Sequence, residues 1–540
     1  MHLDDRNERP QHAPLPIHDL RFTIRPMKRC PRCNRIETDD LAFCRVDGTR
    51  LITDSEAFEP ATAILTGGGR SAELTTGHLP NVPSIAVLPF VNMSADAENE
   101  YFCDGLAEEL LNALTRINDL KVAARTSAFS FKGRNTNVSE IGAALNVKTV
   151  LEGSVRKSAN RLRITAQLIN VADGYHLWSE RYDREMKDVF DVQDEITLAI
   201  VDALRVKLLG DEKQAVLKRH TDDTEAYQLY LKGRYYWNKR TAEGFEKALE
   251  CFEKAIARDS NYALAYAGLA DTHNTRGSYS IVPPKEAFPL AKAAADKALE
   301  LDDSLAEAHN SRAFLLYMFD WNWSTANAEF QRALELNPDY ATAHHWYGWY
   351  LIACGRLDEA QREMKRAQKL DSLSLPINTN LGFAYYFARD YPKAIEQFKK
   401  ALDMDANFSE AHRGMGEALE QQKMFAEAIA EMRTAQISAG DSTEDAAHLA
   451  HTYALAGKTD EAEQILNNLI ALSKRKYVSA HDIATIYVAL GDTDAAFKWL
   501  EQAYEEHSYR LAWSKVDPKL DRLRPDSRFI DLLSRINVRS

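Results

Sequence analysis

Apolar residues follow two different spacings along the chain, and the change between them marks two regions. The run Ile85–Phe90 is short, apolar and β-branched, which is typical of a buried strand. Leucine and isoleucine recur every three or four positions over Tyr101–Asn118, as in a helix. From Thr149 to Glu180 the period becomes two, which predicts three strands joined by tight turns. The predicted order βαβαβββα indicates a two-layer α/β domain over residues 84–210.

From Thr224 onward the pattern is helical and repeats every 34 residues. One register of this repeat holds small residues, namely Gly348, Gly382, Gly416, Ala450 and Ala484. Small residues are needed where two helices cross closely, and one helical hairpin cannot bury its apolar face without stacked neighbours. The sequence therefore predicts an all-α superhelix of about eight hairpins over residues 224–512. A capping helix is expected over residues 513–540.

The first 83 residues show neither pattern. Residues 1–26 have no periodicity and are predicted to be a flexible tail. Residues 53–83 contain a run of three glycines and few large apolar side chains, so we expect a linker. Three of the six cysteines of the chain lie between these segments, in residues 27–52.

These three cysteines have the spacing of metal ligands. Cys30 and Cys33 form a C-x-x-C pair, and Cys44 is followed three residues later by Asp47. The segment resembles small zinc ribbons, in which a fourth cysteine stands where this chain has Asp47. Three thiolates and a carboxylate can hold zinc tetrahedrally, and His18 or a second chain could supply the fourth ligand instead. We expect a structural zinc ion because so short a segment has almost no core without one; a degenerate ribbon without metal is the alternative.

Composition narrows the classes of function. The chain has 540 residues, 45% of them hydrophobic and 27% charged, so it is expected to form several globular domains. A net charge of −13 disfavours a general nucleic-acid binder, which needs a basic face. No long apolar run and no apolar leader segment are present in the sequence, and we expect a cytoplasmic protein without a membrane span.

Six segments of the α/β region form a specific set: Ile85–Phe90, Asp104–Leu106, Ala124–Ser127, Phe131–Gly133, Leu151–Arg156 and Leu177–Asp183. Together they resemble the TolB-N-like (FlgO-like) domain. The resemblance implies a fold without agreed catalytic chemistry, often found beside tetratricopeptide arrays in bacterial signalling proteins. The 34-residue series itself resembles the tetratricopeptide repeat.

No catalytic constellation is evident in the sequence. It has no G-x-x-x-x-G-K-[ST] loop, no kinase motif set, no G-x-S-x-G elbow and no H-E-x-x-H pair. Relatives of this arrangement are often attached to nucleotide cyclases, winged-helix regulators or kinases. The residues that precede the α/β region here are too few for a cyclase or kinase domain. We therefore expect that the chain is not an enzyme.

The tetratricopeptide register implies which side chains line the inner face of the superhelix. They are Phe314, Tyr317, His345, Trp349, Phe383, Tyr386, Phe387, Glu410, Arg413, Glu417, Glu420 and Gln421. Aromatic anchors beside a charged rim suit an extended peptide or a helix, although some of these rings could pack only on neighbouring repeats. The clamp that binds chaperone tails is not expected, because Trp349 and Phe383 stand at its positions.

These patterns together predict an interaction protein. We hypothesise a scaffold or signalling adaptor that binds protein partners through the groove. The alternative is a transcription or signalling regulator that senses a small ligand through the α/β domain.

Overall fold

The structure is a computed structural model, and it describes the residues 27–29, 36–38, 52–53, 82–208, 210–440 and 442–538. The chain divides into two units, residues 1–79 and residues 80–540.

The described part of the first unit is a small antiparallel sheet with the strand order β2-β1-β3. Its strands are β1 (Met27–Arg29), β2 (Ile36–Thr38) and β3 (Ile52–Thr53). The predicted zinc ligands lie outside the described residues, namely Cys30, Cys33, Cys44 and Asp47. The zinc ribbon therefore stays a prediction.

The second unit begins with a six-stranded sheet in the order β6-β4-β7-β8-β9, with β5 also paired to β7. Strands β6, β4 and β7 run parallel, whereas β7, β8 and β9 form an antiparallel meander. The strands are β4 (Ser84–Val87), β5 (Val91–Asn92), β6 (Lys121–Val122), β7 (Thr149–Ser158), β8 (Arg161–Asn170) and β9 (His176–Glu185).

In the part of this region that the structure describes, five α-helices accompany the sheet: α1 (Glu100–Leu114), α2 (Arg125–Phe129), α3 (Val138–Leu145), α4 (Val189–Ala203) and α5 (Gly210–Val216). Helix α1 packs against β4, and α4 packs against β8 and β9. The expectation of a small α/β region before the helical array is confirmed, while its TolB-N-like identity stays a prediction. Helix α2 begins directly after Ala124, and α4 ends at Ala203.

Sixteen further helices follow in the described residues between Thr224 and Glu505, and consecutive helices pack into eight hairpins. They are α6 (Thr224–Trp237), α7 (Ala242–Arg258), α8 (Ala263–Ser278), α9 (Pro284–Leu301), α10 (Ala306–Met318), α11 (Trp323–Leu336), α12 (Ala341–Ala353), α13 (Leu357–Leu370), α14 (Leu375–Phe387), α15 (Tyr391–Met404), α16 (Ser409–Gln421), α17 (Phe425–Ala439), α18 (Thr443–Leu455), α19 (Thr459–Leu472), α20 (Ala480–Leu490) and α21 (Thr493–Glu505).

The small residues of the 34-residue repeat lie where helices cross. A Cβ atom added to Gly382 on α14 would lie 2.5 Å from the ring of Phe398 on the paired helix α15. Gly414 on α16 faces the same ring, which is completely buried. A larger side chain at either glycine would push the helices apart, since packed cores do not absorb extra atoms without strain.

Several polar contacts join the α/β region to the array, among them those of Glu108 and Ser127. Glu108 on α1 accepts hydrogen bonds from Arg125 at 2.6 Å and from Arg234 on α6 at 3.0 Å. Burial opposes the ionisation of Glu108, but these two guanidinium groups outweigh it and lower its pKa. The backbone amide and hydroxyl of Ser127 donate to Asp371, between α13 and α14, at 2.9 and 2.6 Å. The α/β region thus contacts both the first hairpin and the fourth.

The chain does not continue as a helix directly after α21. Residues Tyr509–Trp513 and Pro518–Leu523 form two short 3-10 segments, and only Ser527–Arg535 forms the last helix, α22. Helix α22 packs on α21, as a cap would. It is shorter than the capping helix expected over residues 513–540, because the preceding segment turns toward the first helices of the hairpins.

Candidate polypeptide-binding groove

The first helices of hairpins three to eight carry the side chains that the repeat register assigns to the inner face. We call this surface, formed by α10, α12, α14, α16, α18 and α20, the groove. Phe314 and Tyr317 lie on α10, His345 and Trp349 on α12, Phe383, Tyr386 and Phe387 on α14, and Glu410, Arg413, Glu417, Glu420 and Gln421 on α16. The structure therefore brings the predicted groove residues onto successive helices of one array.

Most of these side chains are covered. Tyr317 and Tyr386 are completely buried, and Phe314 and Phe383 are 6% exposed. Trp349 and Phe387 are half-buried. The cover over much of this surface is residues 507–524, which we call the C-terminal strap.

Aromatic contacts hold the strap against the middle of the groove. The ring of Trp513 lies 5.2 Å from that of Trp349, and its Nε1 donates to the Trp349 carbonyl oxygen at 3.2 Å. The ring of Tyr317 lies edge-on to that of Trp513 at 6.4 Å, and Tyr509 packs edge-on at 6.2 Å. Two of the rings that were expected to anchor a partner, Tyr317 and Trp349, are thus occupied by the chain's own tryptophan.

The start of the strap reaches across to the third hairpin. The imidazole of His507 stacks on Trp321 with the ring centres 4.7 Å apart, and its Nδ1 donates to the Phe319 carbonyl oxygen at 3.1 Å. Beyond the strap, Trp323 Nε1 donates to the carbonyl oxygen of Ile536 at 2.9 Å. The end of the chain therefore links the eighth hairpin to the third.

A network of ion pairs fixes the strap near α18 and α20. The Arg510 guanidinium pairs with Glu444 and, at 3.0 Å, with Asp482. Arg413 pairs with the same Glu444 at 2.5 Å. Each of these four side chains has less than a fifth of its surface exposed. Burial opposes the ionisation of Glu444, but Arg413 and Arg510 outweigh it and lower its pKa to about 2.

A second ion pair lies deeper in the groove. Lys519 Nζ is 2.8 Å from Glu417 Oε2 and 5.6 Å from the centre of the Tyr386 ring, and the side chains of Lys519 and Glu417 are almost fully buried. Burial alone would lower the pKa of Lys519, but the Glu417 carboxylate outweighs it and raises that pKa. The other carboxylate oxygen of Glu417 faces His448 Nδ1 at 3.1 Å. Burial and the nearby Lys519 hold the pKa of His448 well below its usual range, so this imidazole is neutral.

The remaining groove residues of α16 also have partners within the chain. Glu420 accepts hydrogen bonds from His451 at 3.0 Å and from the Thr452 hydroxyl at 2.8 Å. Glu410 lies 3.8 Å from Arg413. At the rim, the exposed Arg389 makes a bidentate pair with Asp521 of the strap at 2.7 and 2.8 Å. The charged rim inferred from the sequence thus forms ion pairs inside the protein.

The strap is the functional feature that the sequence analysis missed. Its signal was the succession of Tyr509, Arg510, Trp513 and Lys519, aromatic and basic residues that match an aromatic and acidic groove. In the described residues, no group of three or more histidine, cysteine or acidic side chains has the arrangement of a metal site.

Comparison with known proteins identifies the array. Models of the tetratricopeptide repeat family match residues 329–362, 379–443 and 479–506. The chain contains tetratricopeptide repeats. Within the described parts of the chain, no helix is both long and apolar enough to cross a membrane.

Two curated proteins are similar to parts of this chain. "Putative adenylate cyclase 3" of Rhizobium meliloti is 44% identical over 192 residues, which are 36% of this chain and 33% of that protein. "Transcriptional regulator HilA" of Salmonella typhimurium is 24% identical over 311 residues, 57% of this chain and 54% of the regulator. The chain thus spans about a third of the length of the first relative and about half of the second.

One of the solved structures that are similar to part of this chain is that of PilF. A structure of Pseudomonas aeruginosa PilF covers 41% of this chain and 95% of that chain, at 22% identity and a TM-score of 0.31.

Replacing Arg510 with glutamine should destabilise the protein by about 3 kcal/mol at pH 7, because it leaves Glu444 and Asp482 without one cationic partner. The low pKa of Glu444 stabilises the fold fully above its ordinary value of 4.5, and this contribution is lost as the pH falls toward 2. The difference in the free energy of unfolding between Arg510→Gln and the unmodified chain should therefore decrease as the pH falls over that range. Urea unfolding at pH 7 and pH 3.5 measures it.

The control is Arg366→Gln, which breaks an exposed pair with Asp339 and should cost at most about 1 kcal/mol. If both variants lost the same free energy of unfolding at pH 7, the claim that the buried ion-pair network stabilises the fold would be wrong.

Proposed function

We propose that this protein is a non-catalytic interaction scaffold of the signalling-adaptor type, and that its groove holds an extended segment of a partner protein in the cytoplasm. Stacked helical repeats form long concave surfaces, and such surfaces typically bind polypeptides. Proteins with tetratricopeptide repeats are typically scaffolds for protein interaction.

The observation that carries the proposal is the strap itself. Residues 507–524 lie along the groove without forming an α-helix, and they are held by side chains of α12, α16, α18 and α20. A surface that binds a non-α-helical segment of its own chain has the chemistry needed to bind a segment of another protein.

Site-specific photo-crosslinking in extracts of the native host tests the scaffold function. A photo-reactive amino acid at Gln421, on the groove side of α16, should capture a distinct protein partner. The same group at Lys400, an exposed residue of α15, should not capture it. The purified partner should then bind the unmodified chain in solution. The same proteins at both positions, or none at either, would contradict the proposal.

We also propose that the N-terminal cysteine segment holds a structural zinc ion through Cys30, Cys33, Cys44 and Asp47. The C-x-x-C spacing and the third cysteine support the proposal, since thiolates are the preferred ligands of structural zinc.

Elemental analysis of the purified chain should find one zinc ion per chain. The Cys33→Ser variant should lose it, because two thiolates and a carboxylate bind zinc weakly. The matched variant Cys354→Ser, which changes a half-buried cysteine of the array, should retain it. Zinc contents that do not differ among the three proteins would exclude the proposed site.

A further inference from the structure

The strap makes the groove a site that is already filled. On the basis of the scaffold function, we infer that residues 509–519 act as an intramolecular ligand that a partner must displace. The partner segment would share its chemistry and its short 3-10 turns: an arginine, an aromatic ring about three residues later and a lysine further on, as in Arg510, Trp513 and Lys519.

Charge complementarity supports this class of partner. The groove carries the carboxylates of Glu417, Glu444 and Asp482. Arg510 and Lys519 of the strap form ion pairs with them. An acidic or neutral segment would leave Glu417 and Asp482 buried without the cations of the strap, and Glu444 with Arg413 alone, which is unfavourable. The groove therefore selects a basic segment.

The aromatic contacts set the spacing of that segment. Trp513 fills the space beside Trp349 and donates a hydrogen bond to its carbonyl oxygen. This contact lies between the two ion-pair sites of Arg510 and Lys519 in the strap sequence. A competing segment needs an aromatic ring, preferably an indole with its donor N–H, at the corresponding position.

The strap also fits its site imperfectly, which makes exchange possible. The hydroxyl groups of Ser514 and Tyr386 are buried, and neither has a hydrogen-bond partner among the described residues. Buried polar atoms without partners cost free energy, and a competing segment that supplies partners recovers it.

Apolar side chains hold the strap at two places, and Leu511, within residues 509–519, is completely buried. The second place lies beyond residue 519. Leu520 and Leu523 are buried in a core formed with α20, α21 and α22. Displacement of residues 509–519 can therefore leave this anchor in place. Because the displaced segment stays tethered beside the groove, its effective concentration is high and it competes strongly with any partner. The unmodified protein should bind such segments weakly.

A peptide exchange measurement tests the inference without a native partner. A fluorescent peptide with the sequence of residues 507–520 is titrated into the full chain and into the variant Trp513→Ala/Lys519→Glu. We expect the variant to bind at least about tenfold more tightly, because its own strap no longer competes. The control Lys400→Glu, the same charge reversal on the exposed face of α15, should bind as weakly as the unmodified chain.

Charge reversal in the groove tests where the peptide binds. Adding Glu417→Lys to the strap variant should abolish binding of the peptide. A peptide that carries Lys519→Glu should bind this triple variant and not the strap variant. Unchanged helical circular dichroism checks that each protein is folded, and Trp513→Phe/Lys519→Gln replaces the strap variant if that one does not fold.

Three results would overturn the inference. In the first, the peptide binds the unmodified chain and the folded strap variant with equal affinity. In the second, the peptide binds tightly and Glu417→Lys does not change its affinity. In the third, two copies of the chain exchange their straps and form a dimer whose population depends on concentration. A native partner that crosslinks at Gln421 while the peptide fails to exchange would leave the scaffold function standing without the intramolecular ligand. Peptide exchange without any native partner would support the intramolecular ligand and contradict the scaffold function.

Discussion

Ionised side chains removed from water hold the strap in the groove, and the arrangement of the array depends on them. Removing a carboxylate and an ammonium group from water is costly, and a buried pair offsets this only when each charge meets its partner closely. Glu417 and Lys519 do so at 2.8 Å, and Glu444 is shared by two guanidinium groups. Neither half of these pairs is stable in the groove without the other. The position of the strap and the arrangement of the inner face therefore depend on each other.

This dependence changes how the repeats behave as a unit. In an open superhelix each repeat contacts only its neighbours, so the array can stretch and bend. Here the strap and α22 contact the third hairpin through Trp321 and Trp323, and the strap contacts the fourth through Trp349. Near the other end, the α/β region contacts the first and fourth hairpins. These contacts restrain the inner face, and opening the groove must break a defined set of them.

The sequence predicted the features that depend on local spacing. The 34-residue period placed the helical hairpins and their inner positions, because close helix crossings demand small residues such as Gly382 opposite large ones such as Phe398. The change to a period of two placed the meander of β7, β8 and β9 for a similar reason.

The strap could not be predicted in this way. Its 3-10 turns carry no period, and its partners lie far away in sequence: Arg510 meets Glu444, and Lys519 meets Glu417, 102 residues apart. From sequence alone, Glu417 is expected on an exposed charged rim, and Trp349 is expected as an exposed ring that anchors a partner. Their burial is decided by tertiary contacts that no local pattern records.

Hydrogen–deuterium exchange on the full chain in solution tests the central claim, that the strap fills the groove. Backbone amides exchange slowly only where the structure protects them from water. We expect residues 509–523 to exchange far more slowly than an unstructured peptide of the same sequence, and α14 and α16 to be protected with them. Exchange of residues 509–523 at the unstructured rate, with α14 and α16 still protected as helices, would contradict this claim.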